Sequence, residues 1–511
     1  MTKKFYVTTP IYYVNGAPHL GHAYTSTAAD VLARFKRLDG FDVFFLTGTD
    51  EHGQKVEAAA RLAGIDPQAF TDRVAADFQD MSRRMNISND DFIRTTEPRH
   101  IRACQALWQK LVASGAIYLG SYEGFYAVRD EAFYDESELT LKNGVLVATA
   151  SGAPVEKVSE PSYFFKLSAF QDKLLALYEA NPGFIAPAAK RNEVLSFVRG
   201  GLNDLSISRT KFSWGIPVPG HPEHVMYVWL DALANYLTAA GYPDLSAPRF
   251  AYWPAQVHLV GKEIVRFHAV YWPAFLMAAG LALPETIFSH GWWTVEGEKM
   301  SKSLGNFIDV RPLIDEFGVD AVRFFMLREV PFGGDGDFSR AALISRLNVE
   351  LANDLGNLAQ RTLSFIAKNA GGVVPARGAA TPEDAALSAA AAALPDKLRD
   401  AMARLAFNEA LEDIWKLIRA ANAYIDHQAP WALRKTDPAR MTAVLRVLVD
   451  TLRSAAILLQ PFMPDSMGKL LDQLGVPAQS RRIAALSTPL EAGATLPAPF
   501  GIFPRHVETA A

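Results

Sequence analysis

The chain has 511 residues, half of them hydrophobic and 21% charged, with 51 Lys and Arg against 55 Asp and Glu for a net charge of −4. That length calls for two to four domains, and the composition excludes a disordered chain or a uniformly basic surface, though not a local basic stripe. The one cysteine, Cys104, excludes an internal disulfide and a thiolate zinc cluster, and with no long apolar run or apolar leader a cytoplasmic location without a membrane is expected.

Residues 5–9 read as a strand and residues 23–38 as a helix, joined by Tyr13-Val14-Asn15-Gly16-Ala17-Pro18-His19-Leu20-Gly21-His22. A turn from strand into helix suits phosphate, because first-turn N–H groups are unpaired and point outward. His19 and His22 can each donate to phosphate oxygen, and Gly21 leaves the backbone open to a flat ligand; the plain alternative is two surface histidines. Residues 41–46 form a second buried strand, completing a right-handed βαβ unit whose ligands lie beyond the carboxyl ends of its strands. Asp50 stands there, either to hold a cation such as an α-ammonium or to cap the helix that begins at Gln54.

Residues 62–85 and 102–114 continue as helix. From 116 to 166, short β-like pieces separated by Gly, Ser and acidic residues read as a small insertion. The α/β pattern resumes at 225–236, a strand start with a helical continuation. It continues at 256–260, a strand running into Gly261-Lys262-Glu263 and a helix over 264–279. On their own, Trp229, Tyr236, His268 and Trp272 read as core packing. Lys299-Met300-Ser301-Lys302-Ser303 is a basic loop able to reach a polyphosphate, or else a solvated turn. Beyond residue 345 strands stop. Leu347, Leu351, Leu355, Leu358 and Phe365 mark an amphipathic helix, Thr381-Pro382-Glu383-Asp384 a helix start, and 407–427 and 442–459 further helices.

His19-Leu20-Gly21-His22 after a strand, with Lys299-Met300-Ser301-Lys302-Ser303 far downstream, resemble the HIGH and KMSKS signatures of class I aminoacyl-tRNA synthetases. Thr9-Pro10-Ile11-Tyr12-Tyr13-Val14-Asn15-Gly16, Gly48-Thr49-Asp50-Glu51-His52-Gly53, Val228-Trp229-Leu230-Asp231-Ala232 and Gly261-Lys262-Glu263-Ile264-Val265-Arg266-Phe267-His268 resemble the methionyl-tRNA synthetase family within that class. Asn357-Leu358-Ala359-Gln360-Arg361 and Ala429-Pro430-Trp431 extend the resemblance over nearly the whole chain. It implies an α/β fold: a Rossmann-like parallel-sheet catalytic domain (1–115 and 225–295) interrupted by a small β-rich connective insertion (116–224). A KMSKS-bearing stem-contact region (296–345) and a helical-bundle anticodon-binding domain (346–511) would follow.

The implied reaction joins methionine to ATP, carried with Mg²⁺, as methionyl-adenylate plus pyrophosphate. It then moves methionine to the terminal adenosine of tRNA(Met), initiator and elongator alike. The methionine carboxylate is already ionised, so positioning and charge stabilisation must do the catalysis. By the resemblance, His19 and His22 serve the α-phosphate, and Lys302 with Lys299 serves the leaving pyrophosphate as mobile point charges. Ser301 belongs to the ATP site, Gly21 lets adenine lie on the backbone and Glu263 meets the ribose. Asp50 would hold the methionine ammonium within a pocket of Ile11, Tyr13, Trp229, Ala232, Leu233, Tyr236, Ile264 and His268. Leu233 stands where the family commonly has proline. Asn357, Arg361 and Trp431 would contact the CAU anticodon.

One departure is informative. Many relatives carry a Cys-x-x-Cys zinc knuckle in the insertion, whereas Tyr126 is followed here by Ala127-Val128-Arg129-Asp130. No metal ligands and no structural zinc are expected, leaving packing and β hydrogen bonds to order the insertion. The chain leaves no room for a C-terminal oligonucleotide-binding domain used in dimerisation, so a monomer is expected. The leucine, isoleucine and valine enzymes usually carry a larger editing insertion, and the cysteine enzyme needs zinc thiolates. A regulator that only binds tRNA would be expected to lose the second histidine or the loop lysines. A nucleotidyltransferase acting elsewhere would leave the helical third unexplained.

Overall fold

The computed structural model describes residues 2–295, 297–299 and 307–507. Its frame is set by short strands and the helices that connect and cover them: β1 (Lys4–Thr8), β2 (Tyr12–Tyr13), α1 (Leu20–Leu38), β3 (Asp42–Asp50), β4 (Asp91–Arg94), α2 (Pro98–Ala113), β5 (Ile185–Ala186), α3 (Val228–Ala240), β6 (Val257–Gly261) and β7 (Thr286–His290). The seven strands make one parallel sheet in the order β5-β7-β6-β1-β3-β2, with β4 also on β3. Strands covered on both faces read as continuous apolar runs, as Val43, Phe44, Phe45 and Leu46 do. β1 pairs with the first half of β3 and β2 with its end (Tyr12↔Thr49, Tyr13↔Asp50), on either side of the break at Pro10. β4 approaches β3 so closely that a Cβ on Gly48 would lie 2.0 Å from the Ile93 carbonyl oxygen, so glycine is required there. β1 leads through α1 to β3 on one side and β6 leads to β7 on the other, so the crevice beyond β1 and β6 is the switch point of the sheet.

The insertion is built on Ile117–Ala127, paired antiparallel with Glu156–Phe165 and Ala132–Tyr134. Two features differ from the sequence expectation. Ile185–Ala186, inside the 116–224 stretch, returns to the edge of the central sheet. The strand before α3, His221–Met226, belongs to a small antiparallel sheet with Ser208–Arg209 and Pro217–Val218, not to the central one. A short apolar run fixes a strand but not its partner. The insertion also has more than packing and β pairing to order it. Glu160 and Arg209 form a buried ion pair, and the Arg209 guanidinium lies 4.1 Å from the centre of the Tyr126 ring.

Beyond the sheet, helices Asn357–Asn369, Pro382–Ala403, Phe407–Gln428 and Pro438–Leu459 pack as a bundle. Thr381 and Asp384 form the expected capping box. The stretch expected as one helix from Leu347 begins as a π-helix, Leu347–Gly356. Arg323 locks this bundle to α1. Fully buried, it donates to Asp30 of α1 at 2.6 Å and to the carbonyls of Met85, Pro461 and Phe462. Removing one partner of such a pair costs about 3–5 kcal/mol, so the helix bearing the histidine turn is held against two other parts of the chain.

Candidate active site

α1 begins earlier than its apolar spacing suggests, at Leu20, because the histidines themselves build its N-terminus. His19 is the N-cap: its Nδ1 accepts the Gly21 N–H at 3.0 Å, and the Nδ1 of His22 accepts the His19 N–H at 3.1 Å. With Nδ1 accepting on each ring, the neutral tautomer carries its proton on Nε2, so each is a donor without being charged. The two rings lie 3.8 Å apart. Burial, and then the neighbouring His19 ring, hold His22 well below the usual histidine range. A Cβ on Gly21 would come within 2.9 Å of the His19 ring, so glycine keeps the ring in place and the turn open.

The C-terminal end of the basic loop is anchored next to this turn. Lys299 pairs with Thr294 in an antiparallel strand, Phe307 meets the His19 ring edge-on at 5.5 Å, and Leu20 donates to the Ile308 carbonyl at 3.0 Å. Ser301 and Lys302 lie outside the described residues, as does the side chain of Lys299. Glu263, at the carboxyl end of β6, is exposed and accepts the indole N–H of Trp292 at 2.6 Å.

Asp50 ends β3 and does not cap the following helix, whose N-cap is Gly53. Four carboxylates are buried here, Asp50 among them, and the other three are occupied. Glu51 takes a bidentate Arg94 at 2.7 and 2.9 Å. Asp231 lies between His52 and His100, each at 2.7 Å, and stays ionised with a pKa near 2. Glu131 accepts from Tyr13 and Tyr126. Asp50 keeps Oδ1 buried without a hydrogen-bond partner among the described residues. Burial first, then Asp231, Glu131 and Glu51, push its carboxyl well above the usual range. A cation is what this group lacks.

Beside it lies an aromatic wall. Ile11, Tyr13, Trp229 and Ile264 are half-buried against the apolar cluster that holds Leu233 and Tyr236, and Ala232 is buried on the same helix, α3. Trp229 stacks on Phe267 at 3.9 Å. His268 sits in a π-helical turn, Phe267–Tyr271, a departure from the α-ladder that often marks functional positions. Its Nδ1–H donates to the Ile264 carbonyl at 3.0 Å and its Nε2 accepts the Tyr236 hydroxyl at 2.7 Å. Burial lowers its pKa to about 4, so it is neutral. Of the methionine-pocket residues expected from the sequence, Trp229 and Tyr236 lie with their rings 6.1 and 5.8 Å from that of His268, and Ile11, Tyr13, Leu233 and Ile264 belong to or pack on the same apolar cluster. His52, His100 and Glu131 were missed, and only His52 lay in a stretch singled out beforehand.

Among the described residues one group has metal-ligating types within 4.8 Å of one another: His100, Cys104 and Asp231. Its atoms are already joined as a hydrogen-bonded network, His100 Nε2 to Asp231 at 2.7 Å and Cys104 Sγ to His100 at 3.2 Å. In the helical region Arg361 and Trp431 line one cavity of about 250 Å³ with Phe365, Lys368, Asn369 and Pro430. The Arg361 guanidinium lies 5.6 Å from the centre of the half-exposed Trp431 ring and pairs with Asp426 at 2.6 Å. Asn357 is exposed one turn from Arg361 and is not among the cavity's lining residues. No helix of the described residues is long and apolar enough to cross a membrane.

Comparison with known proteins agrees with this architecture. Residues 5–150 and 139–363 match the family described as tRNA synthetases class I (M), and residues 374–509 match the anticodon binding domain of methionyl tRNA ligase. The methionine–tRNA ligase of Mesorhizobium japonicum is 56% identical over 99% of this chain and 98% of its own. That of Rickettsia felis is 57% identical over 99% of both chains. The Mycobacterium tuberculosis methionyl-tRNA synthetase in complex with methionyl-adenylate superposes with a TM-score of 0.97 at 54% identity, covering 99% of this chain and 100% of that one. The chain belongs to the methionyl-tRNA synthetase family of class I aminoacyl-tRNA synthetases.

Proposed function

We propose that the chain is a methionine–tRNA ligase that works by positioning methionine and ATP on either side of the β1–α1 turn. The observation that carries this is the pairing of opposites at the sheet's carboxyl edge. Asp50 offers a buried carboxylate oxygen without a partner among the described residues, and His19 and His22 offer neutral N–H donors at a helix N-terminus.

Methionine binds with its ammonium on Asp50 and its thioether among Tyr13, Trp229, Tyr236 and His268, with Ile11, Ala232, Leu233 and Ile264 completing the wall. A neutral imidazole and aromatic edges suit a polarisable sulfur. ATP enters as its magnesium complex, with adenine beside Gly21 and ribose at Glu263. A carboxylate oxygen of methionine attacks the α-phosphorus, and the bond to pyrophosphate breaks. Nε2–H groups of His19 and His22 face the charge that builds on the α-phosphate. Lys302, with Lys299 and Ser301, meets the pyrophosphate. Anchoring of the loop's C-terminal end beside His19 supports that assignment. A hydroxyl of the terminal adenosine of tRNA(Met), initiator or elongator, then attacks the adenylate carbonyl and AMP leaves. Asn357, Arg361 and Trp431 read the anticodon. The enzyme acts as a cytoplasmic monomer.

ATP–pyrophosphate exchange across the standard amino acids tests the reading. Methionine should dominate; exchange with leucine instead, or with none, overturns it. Lys302→Ala should slow adenylate formation and leave methionine binding near normal.

A further inference from the structure

The turn between Ile117–Ala127 and Ala132–Tyr134 ends at Glu131, a residue with a side chain held at φ 48°. It is also more than nine-tenths buried. L-residues seldom take that conformation and carboxylates are seldom buried. A residue that does both is kept for what its side chain reaches.

Glu131 reaches the methionine side of the site. Its Oε1 accepts the Tyr13 hydroxyl at 3.0 Å and the Lys55 backbone N–H at 3.4 Å, and its Oε2 accepts the Tyr126 hydroxyl. Its backbone carbonyl accepts the Tyr227 hydroxyl at 2.8 Å, where Tyr227 is the N-cap of α3. Behind Tyr126 lies Arg209, which is paired with Glu160 in the core of the insertion. An unbroken series of contacts therefore runs from that core through Tyr126 and Glu131 to Tyr13, the register partner of Asp50. Glu51 is matched by Arg94 and Asp231 is bonded to two histidines, whereas the hydrogen-bond donors on Glu131 are neutral hydroxyls and one amide, and the Lys55 ammonium acts on it only through space.

We propose that Glu131 is a positioning residue of the methionine subsite: it fixes the Tyr13 hydroxyl and adds a second negative charge to the one Asp50 presents to the ammonium. This rests on the reading that methionine binds at Asp50. It gives the insertion a part in amino-acid binding, through the turn in which the thiols expected of many relatives are missing.

The test is Glu131→Gln in the full-length enzyme, with KM for methionine and for ATP measured separately by pyrophosphate exchange and the melting temperature recorded. Gln keeps the shape and the acceptor toward Tyr13 but not the charge. Methionine KM should rise about tenfold with ATP KM and melting temperature unchanged. Glu131→Asp should recover part of the loss, and Tyr126→Phe, which removes one donor, should raise methionine KM by a smaller factor. An unchanged methionine KM in Glu131→Gln overturns the proposal, as does a parallel rise in both KM values with a lowered melting temperature. If Glu131→Gln does not fold, Tyr126→Phe decides by the same split. Wild-type enzyme without methionine-dependent exchange would instead sink the methionine reading, and the proposal with it.

Discussion

Tyr13 and Asp50 are register partners at the ends of adjacent parallel strands, and their polar atoms are treated in opposite ways. The Tyr13 hydroxyl is committed to Glu131, while Oδ1 of Asp50 is buried with no hydrogen-bond partner among the described residues. One residue is fixed by the protein and the other keeps an unused acceptor oxygen among the described residues.

Asp50→Asn therefore separates function from stability. Losing the charge should raise methionine KM about a hundredfold, since truncating one side of a buried charge pair costs several kcal/mol, with ATP KM little changed. Stability should move the other way. Burial, then the charges of Asp231, Glu131 and Glu51, raise the folded carboxyl's pKa above its unfolded value. Folding then favours the protonated form, and its contribution is lost as pH rises through the folded pKa. Asn carries no such loss. Calorimetry without ligands should find Asp50→Asn melting higher than wild type at pH 8, by about 1–3 °C, with the gap closing toward acid.

The histidine turn makes a prediction about which nitrogen matters. In His22, Nδ1 is spent on the His19 N–H, and Nε2 is the atom left to the phosphate in the proposed mechanism. Asn imitates the Nδ1 side of the ring and Gln the Nε2 side. His22→Asn should keep the helix start but lower the rate of adenylate formation about 10²–10³-fold; His22→Gln should lose less. Because burial, and then the neighbouring His19 ring, hold the His22 pKa well below the usual range, His22 remains neutral from pH 6 to 8. Single-turnover adenylate formation should show no histidine step in that interval. A step near 6.5 would mean that the imidazolium is the working form.

The insertion tests what replaces a metal. Arg209 donates to Glu160 at 2.5 Å and covers Tyr126, with both buried. Arg209→Met would leave Glu160 as an unpaired buried charge, at a cost of about 3–5 kcal/mol. Protease cutting within 117–165 should accelerate accordingly. The double change Arg209→Met, Glu160→Met removes both charges and should recover most of the loss. A chelator should change neither the melting temperature nor the cutting rate of wild type.

The fold was largely legible in the sequence because its evidence is local. Residues 5–9 and 41–46 are apolar runs of strand length, and Thr381 to Asp384 spell out a cap. The candidate site was legible where a motif places its residues within a few positions, as at His19 to His22. Partners distant in sequence were not. Nothing about Glu131 announces that it meets Tyr13, 118 positions away. Nor does the spacing of Asp231 reveal that His52 and His100 will occupy both of its oxygens. His22 was readable as a phosphate donor but not as half of a capping box, because that role depends on a backbone angle at His19.

The last prediction concerns the far end of the molecule. Trp431 taken alone is an aromatic at a helix break, and a buried place in the bundle core would be its usual fate. It is instead 46% exposed at the start of Pro430–Thr436, at the mouth of a cavity of about 250 Å³ that also contains Arg361 and Lys368. A flat ring beside a guanidinium offers an unpaired base a surface to stack on and a cation for its edge or phosphate. Stacking of one base is worth about 1–3 kcal/mol, so Trp431→Ala should lower kcat/KM for tRNA charging about tenfold to a hundredfold. Pyrophosphate exchange needs no tRNA and should be unaffected, and the melting temperature should change little, because about half of the residue already lies in solvent. Equal loss in both assays would assign Trp431 to the core and leave the cavity without its proposed role.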